Sequence, residues 1–377
     1  MKLWLVTILF AASTMAANNA APRMFIDAGA DGALTLRILS ASDGADRVTA
    51  QIEGLGEEFS ANVNGTNIVL KTQVTGQRNW TSETPHLYRV TVTLKKGDTP
   101  LHTVTQRFGF RTVETRAGEG LFINGQRVLL KGCRYQPSRP ESARPDAKRI
   151  KEMNMNAART GNETPGTLFL DACDELGLYV IGKPGEDDLN HPCLLALRDV
   201  NVVRHPATHS DDALYLAVDL PRDGAALNGL WNAARQDKTC LGVFLGLPPQ
   251  QEESLLAIRE LWSPIQAYLS ATQPNFIVTL ENHFDFINLK QCRFKWRLLR
   301  FSSPSKPAQT INTGRLIGPD TPAGGKSKMR IPLPGNWRDG HIVSLEALSP
   351  RGESLQTWTW PVSPEPPIKT NDRKTKQ

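Results

Sequence analysis

Tyr88, Val90, Val92 and Leu94 place apolar side chains on every second position of "HLYRVTVTLKKG". A spacing of two is that of a strand with one buried face, because successive side chains point to opposite sides of a sheet. The same alternation runs through "ALTLRILS", "RVTAQIEG", "TNIVLKTQV" and "LHTVTQRFGFR", each bounded by Gly, Asp or Asn. Five such runs at regular spacing commit residues 23–115 to a β-sandwich. Alternation returns after Ser263 in "NFIVTLENHF", "RFKWRLLRF", "MRIPLPG", "HIVSLEALS" and "LQTWTWPV", which predicts a second sandwich over 263–362.

Between the sandwiches the period changes. "GLFINGQRVLLKGC" reads as a hairpin turning at Asn124-Gly125. "RPDAKRIKEMNMNAART" reads as a helix capped by Asp146, with Ala147, Ile150 and Met153 on one face, followed by a strand. A second helix is expected to start at a Thr164 cap with Pro165 first inside, and to stop at Gly177 before the buried strand "LYVI". "CLLAL" is a candidate short strand. "LYLAVDL", the helix "GAALNGLWNAARQDK", the strand "CLGVFLG" and a helix over 252–262 complete the segment. Strand–helix–strand units of this kind build parallel α/β layers.

Composition bounds the function. The chain has 377 residues, 40% of them hydrophobic, enough for two or three cores. The net charge of +6 does not make a nucleic-acid surface. Much of it sits in Lys2 and in a charged, Pro-rich tail, 363–377, expected to be disordered, and no basic helix interleaves with aromatics. Lys2 followed by the apolar run Leu3–Ala12 and small residues reads as a secretory leader over 1–17, cut near Ala16 or Ala17. It is too short to span a bilayer, and no other window approaches the ~20 apolar residues a span needs. Export to a periplasmic or extracellular compartment is the expectation. The five cysteines are widely spaced with no CxxC pair, so no metal site is expected; buried free thiols fit them, an incidental disulfide being the alternative. No phosphate-cradling loop or Ser/His/Asp motif appears, and no cofactor is expected.

The strings "WTSETPHLYRVTVTL", "QRFGFRTVE", "LFINGQRVLLKGC", "IKEMNMNAART" and "LFLDACDELGLYV" resemble family 2 glycoside hydrolases, the β-galactosidase and β-glucuronidase group. The resemblance resumes at "ALNGLWNAARQDKTCLGVFLGLPPQ" and at "LENHFDFINLKQCRFKWRLLR" with "IPLPGNW". It covers most of 25–362, with no counterpart of the family's first, jelly-roll domain. It implies an immunoglobulin-like sandwich (23–115), a (β/α)-barrel-like domain (116–262) and a second sandwich similar to the β-galactosidase domain that follows the barrel (263–362). A complete barrel takes roughly 250 residues. The 142 residues of 121–262 are too few, so the layer is expected to be a truncated, incomplete TIM-barrel remnant.

The resemblance also implies two strand-end glutamates, one a general acid/base and one a nucleophile, about 5 Å apart in retaining enzymes. "NHPCLLALRDVNV" keeps Asn201, the counterpart of the Asn that contacts the sugar 2-hydroxyl, but has Val202 at the acid/base position. Counting back from Trp231 puts the nucleophile position at Leu214. Asn162-Glu163 falls where the family has a Ser-His string. There Glu163 reads as a residue solvated at a helix start, with a sugar contact or the general acid as its alternative roles, and Asn162 is a candidate sugar contact. Asp199, Asp211, Asp212 and Asp219 lie near the lost positions and read as solvated loop charges, with a replacement acid pair as the alternative. His191 and His205 read as core or turn residues. Trp80, Trp231, Trp296, Trp358 and Trp360 read as packing, with a sugar-stacking platform as the sharper alternative. The resulting expectation is an exported, inactive relative that binds a glycan or a partner. An active β-glycosidase with relocated carboxylates, or a structural carbohydrate-binding sandwich module, stand as alternatives.

Overall fold

The computed structural model describes residues 22–40, 44–56, 58–136, 139–185, 188–197, 200–203, 213–220, 224–246, 252–271, 276–301 and 307–362. The leader and tail readings, and Asp199, His205, Asp211 and Asp212, lie outside these residues. The chain divides into two compact units. The first comprises residues up to Asn79, His86–Arg111 and Leu189–Pro192; the second comprises Trp80–Pro85, Thr112–Asp188 and the chain from Cys193 on.

In the first unit β1 (Arg23–Ala28), β2 (Ala33–Leu39) and β5 (Asn67–Gln73) form one antiparallel sheet. A second, in the order β4-β3-β6-β7, joins β3 (Arg47–Ile52), β4 (Glu58–Asn62), β6 (Tyr88–Lys96) and β7 (Thr99–Phe108). The alternation read from sequence is the alternation of burial. Leu34, Leu36 and Ile38 of β2 and Val90, Val92 and Leu94 of β6 share one core with Val48, Ala50 and Ile52 of β3. Truncating one such residue to Ala typically costs about 2–5 kcal/mol, because the lost transfer energy is joined by a cavity.

The second unit opens with three short antiparallel strands, β8 (Val113–Arg116), β9 (Gly120–Ile123) and β10 (Gln126–Val128). The turn between the last two has φ of 50° at Asn124 and 79° at Gly125, as an Asn-Gly hairpin requires. A wholly parallel sheet follows. Its strands are β11 (Leu130–Arg134), β12 (Ala157–Arg159), β13 (Tyr179–Ile181), β14 (Asn201–Val203), β15 (Tyr215–Leu220) and β16 (Cys240–Leu245). Their order is β13-β12-β11-β16-β15-β14. β16 is buried along its whole length, which is why it reads as a continuous apolar run. The candidate strand at "CLLAL" reduces to one bridge, Leu194 beside Val180. Among the described residues no ladder joins that bridge to β14.

Helices α1 (Ala143–Glu152), α2 (Thr167–Leu176) and α3 (Gly224–Gln236) cross between parallel neighbours, and α4 (Glu252–Leu261) follows β16. Ala147, Ile150 and Met153 are buried as their spacing predicts, but Asp146 lies inside the first turn and Ser142 is the cap position. α2 begins later than the Thr164 reading, because the backbone at Gly166 has φ 80° and ψ 137°, outside the helical region. Gly177 ends it as read, with φ 76° and the left-handed conformation.

Two further antiparallel sheets close the unit. β17 (Ile265–Ala271), β18 (Phe276–Asn282) and β21 (Lys326–Ile331) make one. β19 (Arg293–Arg300), β20 (Gln309–Ile317), β22 (Ile342–Leu348) and β23 (Ser354–Pro361) make the other, in the order β20-β19-β22-β23. Phe294, Trp296 and Leu298 pack into their shared core, and Trp358 and Trp360 are partly buried against it. β20 escaped the sequence reading because it is a largely exposed edge strand with no apolar alternation. All five cysteines are buried free thiols.

Candidate functional site

A parallel sheet offers chemistry at the carboxyl ends of its strands, where loops meet the strand tips. After β12, Thr160 Oγ1 donates to the Glu163 carbonyl at 2.8 Å and folds the loop back on itself. Asn162 and Glu163 are exposed on that loop, and the Glu163 carboxylate has no hydrogen bond or ion pair with a described residue. Neither therefore stands in the first turn of α2. After β11, Tyr135 stacks on Phe169 with ring centroids 3.7 Å apart, a packing role.

The two positions at which the resemblance implies carboxylates separate in space from the strand tips. Asn201 and Val202 lie in the edge strand β14, where Val202 is 51% exposed and pairs with Leu216. Leu214 precedes β15, its carbonyl accepting from the Asn201 N–H at 2.9 Å, so it stands at the amino end of its strand. The acidic residue at the carboxyl end of β15 is Asp219. The chain thus brings Asn201 and Leu214 together, and leaves Glu163 elsewhere on the sheet, two strands and more away by sheet order.

The opposite, amino-end edge of the same sheet carries a buried ionic cluster that sequence reasoning missed. Glu83 accepts from the backbone N–H groups of Asp285 at 2.7 Å, Phe286 at 2.9 Å and Ile287 at 3.0 Å. Lys151 Nζ donates to the carbonyls of Ser82 at 2.6 Å and Gly177 at 2.9 Å. Glu83, Lys131, Lys151 and Asp285 are partly exposed as whole residues, but their charged ends lie deep. Burial pushes the Glu83 carboxyl up, against the pull of the N–H donors and of Lys131 and Lys151. Burial, reinforced by the Glu83 charge, pushes Asp285 up to about 8. Three donors aim at the Glu83 carboxylate and none at that of Asp285, so the proton of the pair resides on Asp285. Burial lowers Lys131, and lowers Lys151 to about 8.

Two cavities flank this cluster, of about 520 and 460 Å³, and Lys131, Phe284 and Asp285 line both. Glu163, Asn162 and Asn201 line neither. Trp231 lies in the wall of the larger cavity, in edge contact with Trp262, rather than at the strand tips. Trp80 is fully buried, donating from Nε1 to the Asp174 carbonyl at 2.8 Å with Tyr179 against its ring. The one legible signal for the cluster was "WTSETP", where a Glu sits among residues that otherwise pack.

Solved structures share the fold of this chain. A glycosyl hydrolase family 2 member from Bacteroides cellulosilyticus aligns with TM-score 0.54 at 12% identity, over 92% of this chain and 64% of that one. A β-glycosidase from Bacteroides vulgatus aligns with TM-score 0.53 at 10% identity, over 92% and 65%. A family model for glycosyl hydrolases family 2 matches residues 24–111. A β-galactosidase of Pseudoalteromonas haloplanktis is 35% identical over 128 residues, 31% of this chain and 12% of that protein. A putative β-glucuronidase of Formosa agariphila is 31% identical over 122 residues, 30% and 12%. The chain is thus similar to family 2 glycosyl hydrolases in sequence over residues 24–111, and in fold over most of its length. The matched segments span only 12% of the length of those two curated relatives. No helix of the described residues is long and apolar enough to cross a membrane.

Proposed function

We propose that this chain is a family 2 relative without glycosidase activity, whose parallel sheet is a shortened remnant of the family's barrel and whose strand tips hold a glycan or a protein partner. The observation that carries it is Val202, standing half exposed on an edge strand at the position where the resemblance implies the acid/base glutamate. Retaining hydrolysis needs two carboxyls about 5 Å apart, one to move a proton and one to attack carbon. Glu163 is exposed on a separate loop. Purified protein incubated with chromogenic β-galactosides and β-glucuronides is expected to release no dye above a buffer control.

One observation favours a second reading. Asp219 stands at the carboxyl end of β15, the place from which a parallel strand presents a nucleophile. If the panel shows turnover that Asp219→Asn or Glu163→Gln abolishes, the non-catalytic reading falls and an active β-glycosidase with rearranged carboxylates replaces it. The leader-like 1–17 supports export. Protein recovered outside the cytoplasm should then begin just after Ala16 or Ala17, and an intact Met1 would remove that part of the reading.

A further inference from the structure

The larger cavity at the amino-end edge of the parallel sheet has an unbalanced set of charges. Four cationic side chains reach it: Arg127, Lys131, Arg235 and Lys326. Lys326 Nζ is spent on Glu281 Oε1 at 2.7 Å, whose other oxygen meets His283 Nε2 at 3.3 Å. Arg127 is spent on two backbone carbonyls, those of Glu119 and Asp237, both at 3.1 Å. Two cations remain. Lys131 Nζ and the Arg235 guanidinium have no hydrogen bond or ion pair with any described residue. The acidic group next to them, Asp285, is pushed up to about 8 by burial and by the Glu83 charge, which weakens its pull on Lys131.

The surroundings register this excess. Burial lowers Lys131, Asp285 and Glu83 pull it back up, and Arg235 pushes it further down. Burial also lowers His283, again with Arg235 and Lys131 pressing the same way. Cations held near one another with incomplete counter-charge are costly, and a bound anion relieves both the repulsion and the desolvation. Trp262, 1% exposed, packs in the same wall. At about 520 Å³ the space is within the range of small-molecule sites, and Trp231, in edge contact with Trp262, gives it an aromatic side.

We propose that this cavity is a binding site for a small anion bearing a carboxylate or phosphate group, held by Lys131 and Arg235 against the Trp231–Trp262 wall. The site lies at the opposite edge of the sheet from the strand tips and does not depend on whether those tips are catalytic.

The test is calorimetric titration of the full chain at low ionic strength with inorganic phosphate, with glucuronate and with glucose as the uncharged match in size. Saturable 1:1 binding of phosphate or glucuronate is expected, weakened at least tenfold in Arg235→Ala. That variant removes an exposed side chain and leaves the fold intact, which its circular dichroism would verify. Binding of phosphate alone would assign the site to phosphate groups, and binding of glucuronate alone to carboxylates. Binding of neither anion, glucose binding as tightly as glucuronate, or anion binding unchanged in both Arg235→Ala and Lys131→Met would each overturn the proposal.

Discussion

At the scale of single residues, Asp285 carries the sharpest consequence. Its folded pKa, about 8, lies above the roughly 3.9 of an unfolded Asp, so the folded state holds a proton that the unfolded chain releases near pH 4. A raised carboxyl pKa contributes stability that is complete below the unfolded value and lost as pH rises through the folded one. His283, lowered by burial, acts in the opposite sense. The comparison that isolates Asp285 is therefore wild type against Asp285→Asn in urea unfolding between pH 4 and 8. The wild type should lose up to about 1.4 kcal/mol per pH unit relative to the variant, one proton's worth. Parallel profiles would show that Asp285 ionises freely in the fold. Beyond the Glu of "WTSETP", little of this was legible beforehand. Glu83 and Asp285 are 202 positions apart, and a carboxylate that accepts backbone N–H groups leaves no periodicity or spacing to find.

Elements were far more legible, and unevenly so for a physical reason. β2 and β6 alternate because one face meets a core and the other solvent, so burial writes itself into the sequence. β16 reads as a solid apolar run because helices and sheet cover both its faces. β20 and β14 have little buried face, so they leave almost no pattern. The α2 terminator was legible because its constraint is chemical. Gly177 sits at φ 76°, and a Cβ built there would lie 2.3 Å from the Ser82 carbonyl oxygen. Gly177→Ala should therefore destabilise the second unit by about 2 kcal/mol or more, from the left-handed backbone and the clash together. An unchanged denaturation midpoint would mean that Trp80–Pro85 has drawn away from the end of α2. Leu214 shows the limit of counting. The interval back from Trp231 is a sum of helix and loop lengths, and only the observed start of β15 reveals which residue reaches the strand tip.

For the whole molecule, the succession of antiparallel sheets, a parallel sheet and antiparallel sheets was readable because hydrophobic period changes twice along the chain. Length alone led to the expectation of fewer than eight strands, and six parallel strands are described. The partition into compact units was not readable, because it does not follow the chain. Trp80–Pro85 interrupts the strands of the first unit yet belongs to the second. There Trp80 is fully buried, and Glu83 takes up three N–H groups of the segment after β18. The stretch recognised as a family domain, 24–111, contains this excursion. What sequence similarity treats as one module therefore includes residues that pack in the second unit. Exchange or excision at its borders would carry away a peg that the second unit is built around, so the two parts can be inherited together more easily than they can be shuffled.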